Sequence, residues 1–382
     1  MSSANKKIKV AIITNIIPPY REHFYDIVLK NNIFQVELFC QETIKGSNVK
    51  SSHEKYGEQV HIMKSYSPFE SERLVFQFLP KIKLFKEFDI LVVDGNLRHI
   101  SQALLSTIFK LLGKKIIIWS NVFTFGGSKQ KQTFRLKWWK MFDNFLMYTE
   151  KDVLELNKIG FETKNIISIN NGLNQNLIEN KIKCWDNELL LRFKDAHNIN
   201  TKNIIISSGR VNKVNEHILT IEAIKIVKQT IPDILWIVIG NGSEVENLKD
   251  ISGESGLNDH VLWLGEMYDE GKKCPWFLMS KAFIHPGPIG LSLFNAFGYS
   301  LPVITHDYTS YHGPEISLFE EGKTGYLFQN KNSNDLALKI IGIIQNKEEV
   351  CEIRKNVYEI VNSKNNTDIM ASQFLKMLKS IN

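Results

Sequence analysis

Two consecutive α/β domains, each built round a parallel sheet, are the fold this chain predicts. Three observations carry the expectation. Its 382 residues suffice for two ordinary domains with their own cores. Short β-branched apolar runs alternate with longer segments of helical period, the pattern of strands buried on both faces. The alternation occurs twice, with a polar stretch between.

The first series is KVAIIT, FQVELFC, FDILVVD, KKIIIWS, NFLMYT and NIISIN. Its opening segment, KKIKVAIITNIIPPY, has a basic start, but its apolar core is short and runs into Pro18-Pro19 without a small-residue cleavage site. It reads as a first buried strand rather than a secretory leader. Residues 172–200 lack strand patterning, which places the connection near 178–185 and the domains at 1–180 and 181–365. The second series is NIIISSG, ILWIVIG, HVLWLG, KAFIHP, LPVITH and TGYLF. The closing stretch, 366–382, repeats apolar residues at Ile369, Phe374, Met377 and Leu378, an amphipathic helix expected to pack back on the first domain.

At 43% hydrophobic and 23% charged the composition is that of a globular protein, far from disorder. Forty-seven Lys and Arg against forty-one Asp and Glu leave a formal charge of +6, which favours anionic partners such as nucleotides, diphosphates or acidic lipid surfaces. Cys40, Cys184, Cys274 and Cys351 stand far apart without a CxxC pair, so a reducing, cytoplasmic compartment is expected and a zinc knuckle or disulfide framework is not. No run approaches the roughly 18 to 20 apolar residues that span a membrane, so membrane contact would be peripheral, at the inner face.

Several familiar motifs fail. Gly322-Lys323-Thr324 imitates the tail of a phosphate-binding loop, but Ser317 stands where its first glycine belongs. Gly240-Asn241-Gly242 follows a strand, yet Val245 replaces the third glycine of a dinucleotide fingerprint, leaving a plain strand-to-helix turn. HExxH, GxSxG and an Asp-x-Asp pair are absent from the sequence.

The informative residues lie in the second series. Parallel sheets place ligands beyond the carboxyl ends of their strands. NIIISSG ends in Gly209-Arg210, with Lys213 close behind, two cations suited to stabilise a departing nucleoside diphosphate. KAFIHPGPIGLSLFNAFGYSLPVITHD runs from a strand through a Pro- and Gly-rich turn to Gly290-Leu291-Ser292 at a helix start, where small residues and free amides suit a phosphate.

Together with ILWIVIGNGSEVENL, HVLWLGEMYDE and PEISLFEEGKTGYLF, in this order over roughly residues 203–328, these stretches resemble the nucleotide-sugar half of GT-B-type retaining glycosyltransferases, in particular glycosyltransferase family 4. The first series is similar more loosely, through IIPPYREHFYDIV and IISINNGLN. The resemblance implies two Rossmann-like α/β domains facing across a cleft, a UDP or GDP sugar held mostly by the second, a glycan or lipid-linked acceptor entering over the first, and hexosyl transfer with retention in bacterial surface polysaccharide assembly. It implies neither cofactor nor metal. Arg210 matches the family's phosphate-binding arginine, and the loop at Glu266, Met267 and Tyr268 matches the one whose backbone reads the base.

The chain also departs from the family. Its paired lysine falls on Asn215, leaving Lys213 as the substitute, and its two glutamates, eight residues apart, fall on Gly287 and Asn295. Asn295 retains a donor and an acceptor for a ribose hydroxyl. Gly287 replaces no carboxylate, so Glu315, with His306 and Asp307 nearby in sequence, is the candidate for that role. The family's histidine after KKIIIWS is replaced by Ser120-Asn121.

In the first domain, Asn15, Tyr20 and Arg21 follow strand one as acceptor-side candidates, and Asp94, with Asn96 and Arg98, follows FDILVVD as a catalytic one. Residues 128–146 mix five cations with Phe134, Trp138, Met141, Phe142 and Phe145, read as one apolar helical face able either to pack in the core or to rest on an anionic bilayer. Nothing places those aromatics along a groove, so nucleic acid is not an expected partner. Two alternatives to transfer stay open: an inactive nucleotide-sugar-binding subunit, and a nonhydrolysing sugar-nucleotide epimerase.

Overall fold

The structure, a computed structural model, describes residues 7–44, 51–68, 74–122 and 129–381. It divides into two compact units, Met1–Asn174 with Asn366–Asn382, and Gln175–Asn365.

The first unit carries β1 (Ile8–Ile13), β2 (Phe34–Cys40), β3 (Val60–Ile62), β4 (Ser65–Tyr66), β5 (Phe76–Gln77), β6 (Ile90–Asp94), β7 (Lys115–Ser120), β8 (Asn144–Met147) and β9 (Asn165–Ser168). Seven form a parallel sheet in the order β3-β2-β1-β6-β7-β8-β9, while β4 and β5 pair antiparallel. All six apolar runs of the first series become strands of this sheet. β3 escapes sequence reading because Val60-His61-Ile62 is too short and too polar to stand out. Both faces are covered: Val10, Ile12, Val92 and Ile117 meet Phe24, Val28 and Phe374 on one side, and Ala11, Leu91, Val93 and Ile118 meet Phe88, Phe109 and Trp139 on the other.

The closing helix, Thr367–Ser380, belongs to this unit. Thr367 N donates to Leu173 O at 3.0 Å, and Met370, Ala371, Phe374, Met377 and Leu378 are buried. Each larger side chain contributes on the order of 2 kcal/mol. Met370 takes the buried position that the spacing assigns to Ile369.

The second unit carries β10 (Ile204–Ser208), β11 (Leu235–Ile239), β12 (Val261–Gly265), β13 (Ala282–His285), β14 (Val303–His306) and β15 (Gly325–Phe328) in the parallel order β12-β11-β10-β13-β14-β15. These are the six runs of the second series. Its boundary differs from the 180/181 division read from composition. Helix Gln175–Ile182 packs with this unit: Gln175 Nε2 donates to Gly298 O at 3.1 Å, and Ile178 lies against Gly298. The polar surface of that helix hides its two anchors from a composition scan.

In each sheet the strand order reverses once, between β1 and β6 and between β10 and β13. Connections leave to opposite sides there and open a crevice at the carboxyl ends, the place where α/β sheets bind ligands.

Candidate functional site

In the second unit the loops after β10 and β11 are stitched together. Gly209 N donates to Ile239 O, and Val211 N to Asn241 O, both at 2.9 Å. Gly240 has φ +156°, and a β-carbon there would stand 1.8 Å from Gly209 O. Its glycine is therefore demanded by loop packing, with no dinucleotide fingerprint involved. Asn212 Oδ1 accepts from Asn215 N at 3.1 Å and Asn215 Nδ2 donates to Arg210 O at 2.6 Å, which folds 210–215 into a tight turn. Gly209, Arg210 and Lys213 are exposed on it. Among the described residues neither cation makes an ion pair, and the field of Arg210 reaches Tyr268, whose hydroxyl donates to Glu266 Oε2 at 3.0 Å. Met267, between them, is half-buried.

The turn after β13 lies directly against this one. A β-carbon on Gly287 would approach Asn215 Cα and Val214 O to 2.6 Å. Two of the departures from the family pattern, Asn215 and Gly287, are thus in backbone contact, and a side chain at 287 would push the cation-bearing turn away. Glu216, next in the chain, holds a left-handed conformation (φ 50°, ψ 33°) at the head of helix His217–Thr230, and burial raises its carboxyl. Sequence reading gave no signal for it.

His312 holds the far side of the turn after β13. Its Nδ1 accepts from Ile289 N at 2.9 Å, its Nε2–H donates to His306 O at 2.8 Å, and Gly313 N donates to Ile289 O at 2.8 Å. Both ring nitrogens are committed, which fixes a neutral imidazole. His306 stacks on it, centroids 4.0 Å apart, and is 1% exposed, so it serves the turn from beneath. Burial pushes His285 down to about 3 and His306 and His217 down to about 4.

Glu315 is buried and reaches the same turn: its Oε2 would be 3.7 Å from a β-carbon on Gly290 and 2.6 Å from one on Gly313. Leu291 and Ser292 open helix Ser292–Gly298, and Asn295 stands half-buried within it. The structure therefore brings Gly290 and Glu315 together, with His306 joined through His312. The sequence reading missed His312, His285 and His217: His312 and His217 meet Ile289 and Trp236, distant in the chain, whereas His285 meets the nearby Gly287 O.

In the first unit, a cavity of about 390 Å³ opens at the carboxyl ends of β1 and β6, and Asn15, Tyr20, Arg21 and Asp94 all line it, with Arg98, Trp119 and Tyr148. Asp94 Oδ1 accepts from Asn96 N at 2.8 Å; its Oδ2 lies 3.2 Å from Nε2 of the buried His99, which is also 3.1 Å from Arg98 Nε. Gln102 accepts from Asp94 N at 2.9 Å and donates to Gln77 at 2.7 Å. Arg21 donates to Asn171 Oδ1 and Met370 Sδ and stands 5.2 Å over the Tyr20 ring. His99, Trp119 and Asn171 escaped sequence reading.

The apolar helical face read over 128–146 does not form. The helix is Lys129–Trp139, Phe134 is 68% exposed, and Phe145 lies in β8. Trp139, not Trp138, is fully buried, and the buried Arg135 donates to Val122 O. Residue 128 and the Lys129 side chain lie outside the described residues. Among the described residues, no helix is long and apolar enough to cross a membrane.

Residues 191–360 match the family model for glycosyl transferases group 1. A poly(ribitol-phosphate) alpha-N-acetylglucosaminyltransferase of Staphylococcus aureus (strain COL) is 24% identical over 180 residues, 47% of this chain and 36% of that protein. The match thus spans about a third of that relative's length. Anabaena HepE in complex with UDP superposes with a TM-score of 0.72 at 15% identity over 98% of this chain and 100% of that one. A Listeria monocytogenes protein described as a UDP-N-acetylglucosamine 2-epimerase gives 0.65 at 15% identity over 98% and 96%. Structural likeness at such identity shows the fold alone. The chain has the GT-B fold of two parallel-sheet, Rossmann-like units, and its second unit carries a glycosyl transferases group 1 domain.

Proposed function

We propose that this chain transfers a hexose-type sugar from a UDP or GDP carrier to a glycan or lipid-linked acceptor, with retention and without a metal, in surface polysaccharide assembly. The observation that carries the reading is the pair of turns at the β10/β13 switch point, packed through Gly287 and Asn215 within the group 1 domain, with Arg210 and Lys213 exposed beside them. The activity named for the S. aureus relative supports it. Four free cysteines agree with a reducing, cytoplasmic place of action.

In this reading the bond between the anomeric carbon and the β-phosphate oxygen breaks as positive charge develops on the sugar ring. Arg210 and Lys213 take up the negative charge growing on the diphosphate, with the Gly290-to-Ser292 amides as further donors. The acceptor hydroxyl attacks on the face the diphosphate leaves, and a phosphate oxygen takes its proton. Glu315 is assigned a sugar hydroxyl, Asn295 a ribose hydroxyl, and the 266–268 loop the base.

Thermal-shift screening against UDP, GDP, CDP and dTDP tests the reading. A nucleotide present at a hundred times its Kd adds about 2.7 kcal/mol to the native state, so one of the four is expected to raise the melting temperature; no shift with any would end the proposal. Proton NMR of the product checks retention, and an unchanged rate in EDTA checks metal independence. Conversion of a UDP-sugar with no acceptor present would identify an epimerase instead.

A further inference from the structure

We infer that the cavity of the first unit binds an acceptor carrying a negative charge, a phosphate or a carboxylate, which supplies the counter-ion of Arg21. The inference rests on the transferase reading for the word acceptor; the anion site itself does not.

Arg21 carries a guanidinium and is only 7% exposed. Its polar partners, Asn171 Oδ1 and Met370 Sδ, are neutral, and among the described residues no carboxylate pairs with it. Burying a guanidinium without an opposite charge is costly, because neutral dipoles replace only part of its hydration. A position that keeps such a charge facing a cavity is built for a ligand that completes it.

The rest of the lining has the same bias. The Trp119 indole nitrogen is buried without a hydrogen-bond partner among the described residues. Burial raises the phenols of Tyr25 and Tyr148, so neither is a counter-ion for Arg21. Arg98 adds a second cation at the exposed rim. Among the described residues one carboxylate, Asp94, lines the cavity, and its Oδ1 accepts from Asn96 N with no ion pair to Arg21. A cavity rich in donors calls for a ligand rich in acceptors, and about 390 Å³ admits one sugar ring with its anionic substituent.

Calorimetry on the full chain tests this with three probes: sn-glycerol 3-phosphate, methyl β-D-glucuronide and the uncharged methyl β-D-glucoside. At least one charged probe is expected to bind tenfold or more tightly than the glucoside, and which one distinguishes phosphate from carboxylate. Two variants remove the preference by different routes. Arg21→Met deletes the charge, whereas Asn171→Asp gives it an internal carboxylate and is expected to raise the melting temperature while abolishing anion binding. Equal affinity for all three probes in the unmodified chain, or a preference kept in both variants, overturns the inference. So does loss of the nucleotide thermal shift in Arg21→Met alone, which would assign the guanidinium to the donor. Absence of any nucleotide shift in the unmodified chain, with the charged-probe preference intact, removes the transferase reading and leaves the anion site standing.

Discussion

The two switch points solve the same problem by opposite means. In the second unit, the proposed donor site rests on backbone approach: glycines at 240 and 287 let turns touch, a neutral imidazole supports one of them from below, and the cations are exposed. In the first unit, side chains enclose a cavity and one guanidinium is buried within it. Exposed cations cost the fold little and gain strength only when a ligand excludes water around them. A buried cation costs the fold at all times, so its environment reports on the ligand more sharply than any exposed residue does.

The contrast yields predictions of decreasing size. Arg210→Ala is expected to lower the transfer rate about 10²- to 10³-fold, as loss of one stabilising donor does, while changing stability by no more than about 0.5 kcal/mol because the residue is exposed. A normal rate would mean that the exposed cations are ordinary surface charge. Gly287→Ala attacks the backbone contact instead. Its β-carbon meets the 214–215 backbone at 2.6 Å, and overpacking of this kind costs about 1 to 3 kcal/mol. Chemical denaturation should show that loss together with weaker nucleotide binding; an unchanged midpoint would show that the turns yield freely.

Acid provides the third test. Burial holds His285, His306 and His217 at about 3 to 4, below the ordinary 6.5. Between those values the unfolded chain binds more protons than the folded one, so stability is complete above pH 6.5 and falls as the pH drops toward 4. Each imidazole withdraws about 1.4 kcal/mol per pH unit in that window. Hydrogen exchange at pH 7 and 5 should place the larger loss within residues 175–365, the unit that holds these three histidines. Equal losses in both units would contradict the contrast.

Much of the fold was legible because its signals are local. A strand covered on both faces must be apolar along its length, so all twelve β-branched runs became sheet strands, whereas the three residues of β3 lacked the length to show. The structural division falls at 174/175 rather than at 180/181 because Gln175 and Ile178 anchor a mostly polar helix to Gly298, a partner invisible in composition. Phe145 was read into a helix because apolar spacing at 138, 141, 142 and 145 fits one, yet the helix stops at Trp139 and the chain turns into β8.

By itself the sequence determined which segments are strands, where the glycine-rich turns fall and that Arg210 and Lys213 follow a strand end, since each depends on residues within one short window. Only tertiary structure decided that Gly287 meets Asn215, that Glu315 reaches Gly290, and that Arg21 lies buried between Asn171 and Met370 with no carboxylate partner among the described residues. Those facts hang on neighbours up to 349 positions apart in the chain, brought together by packing that no local pattern encodes.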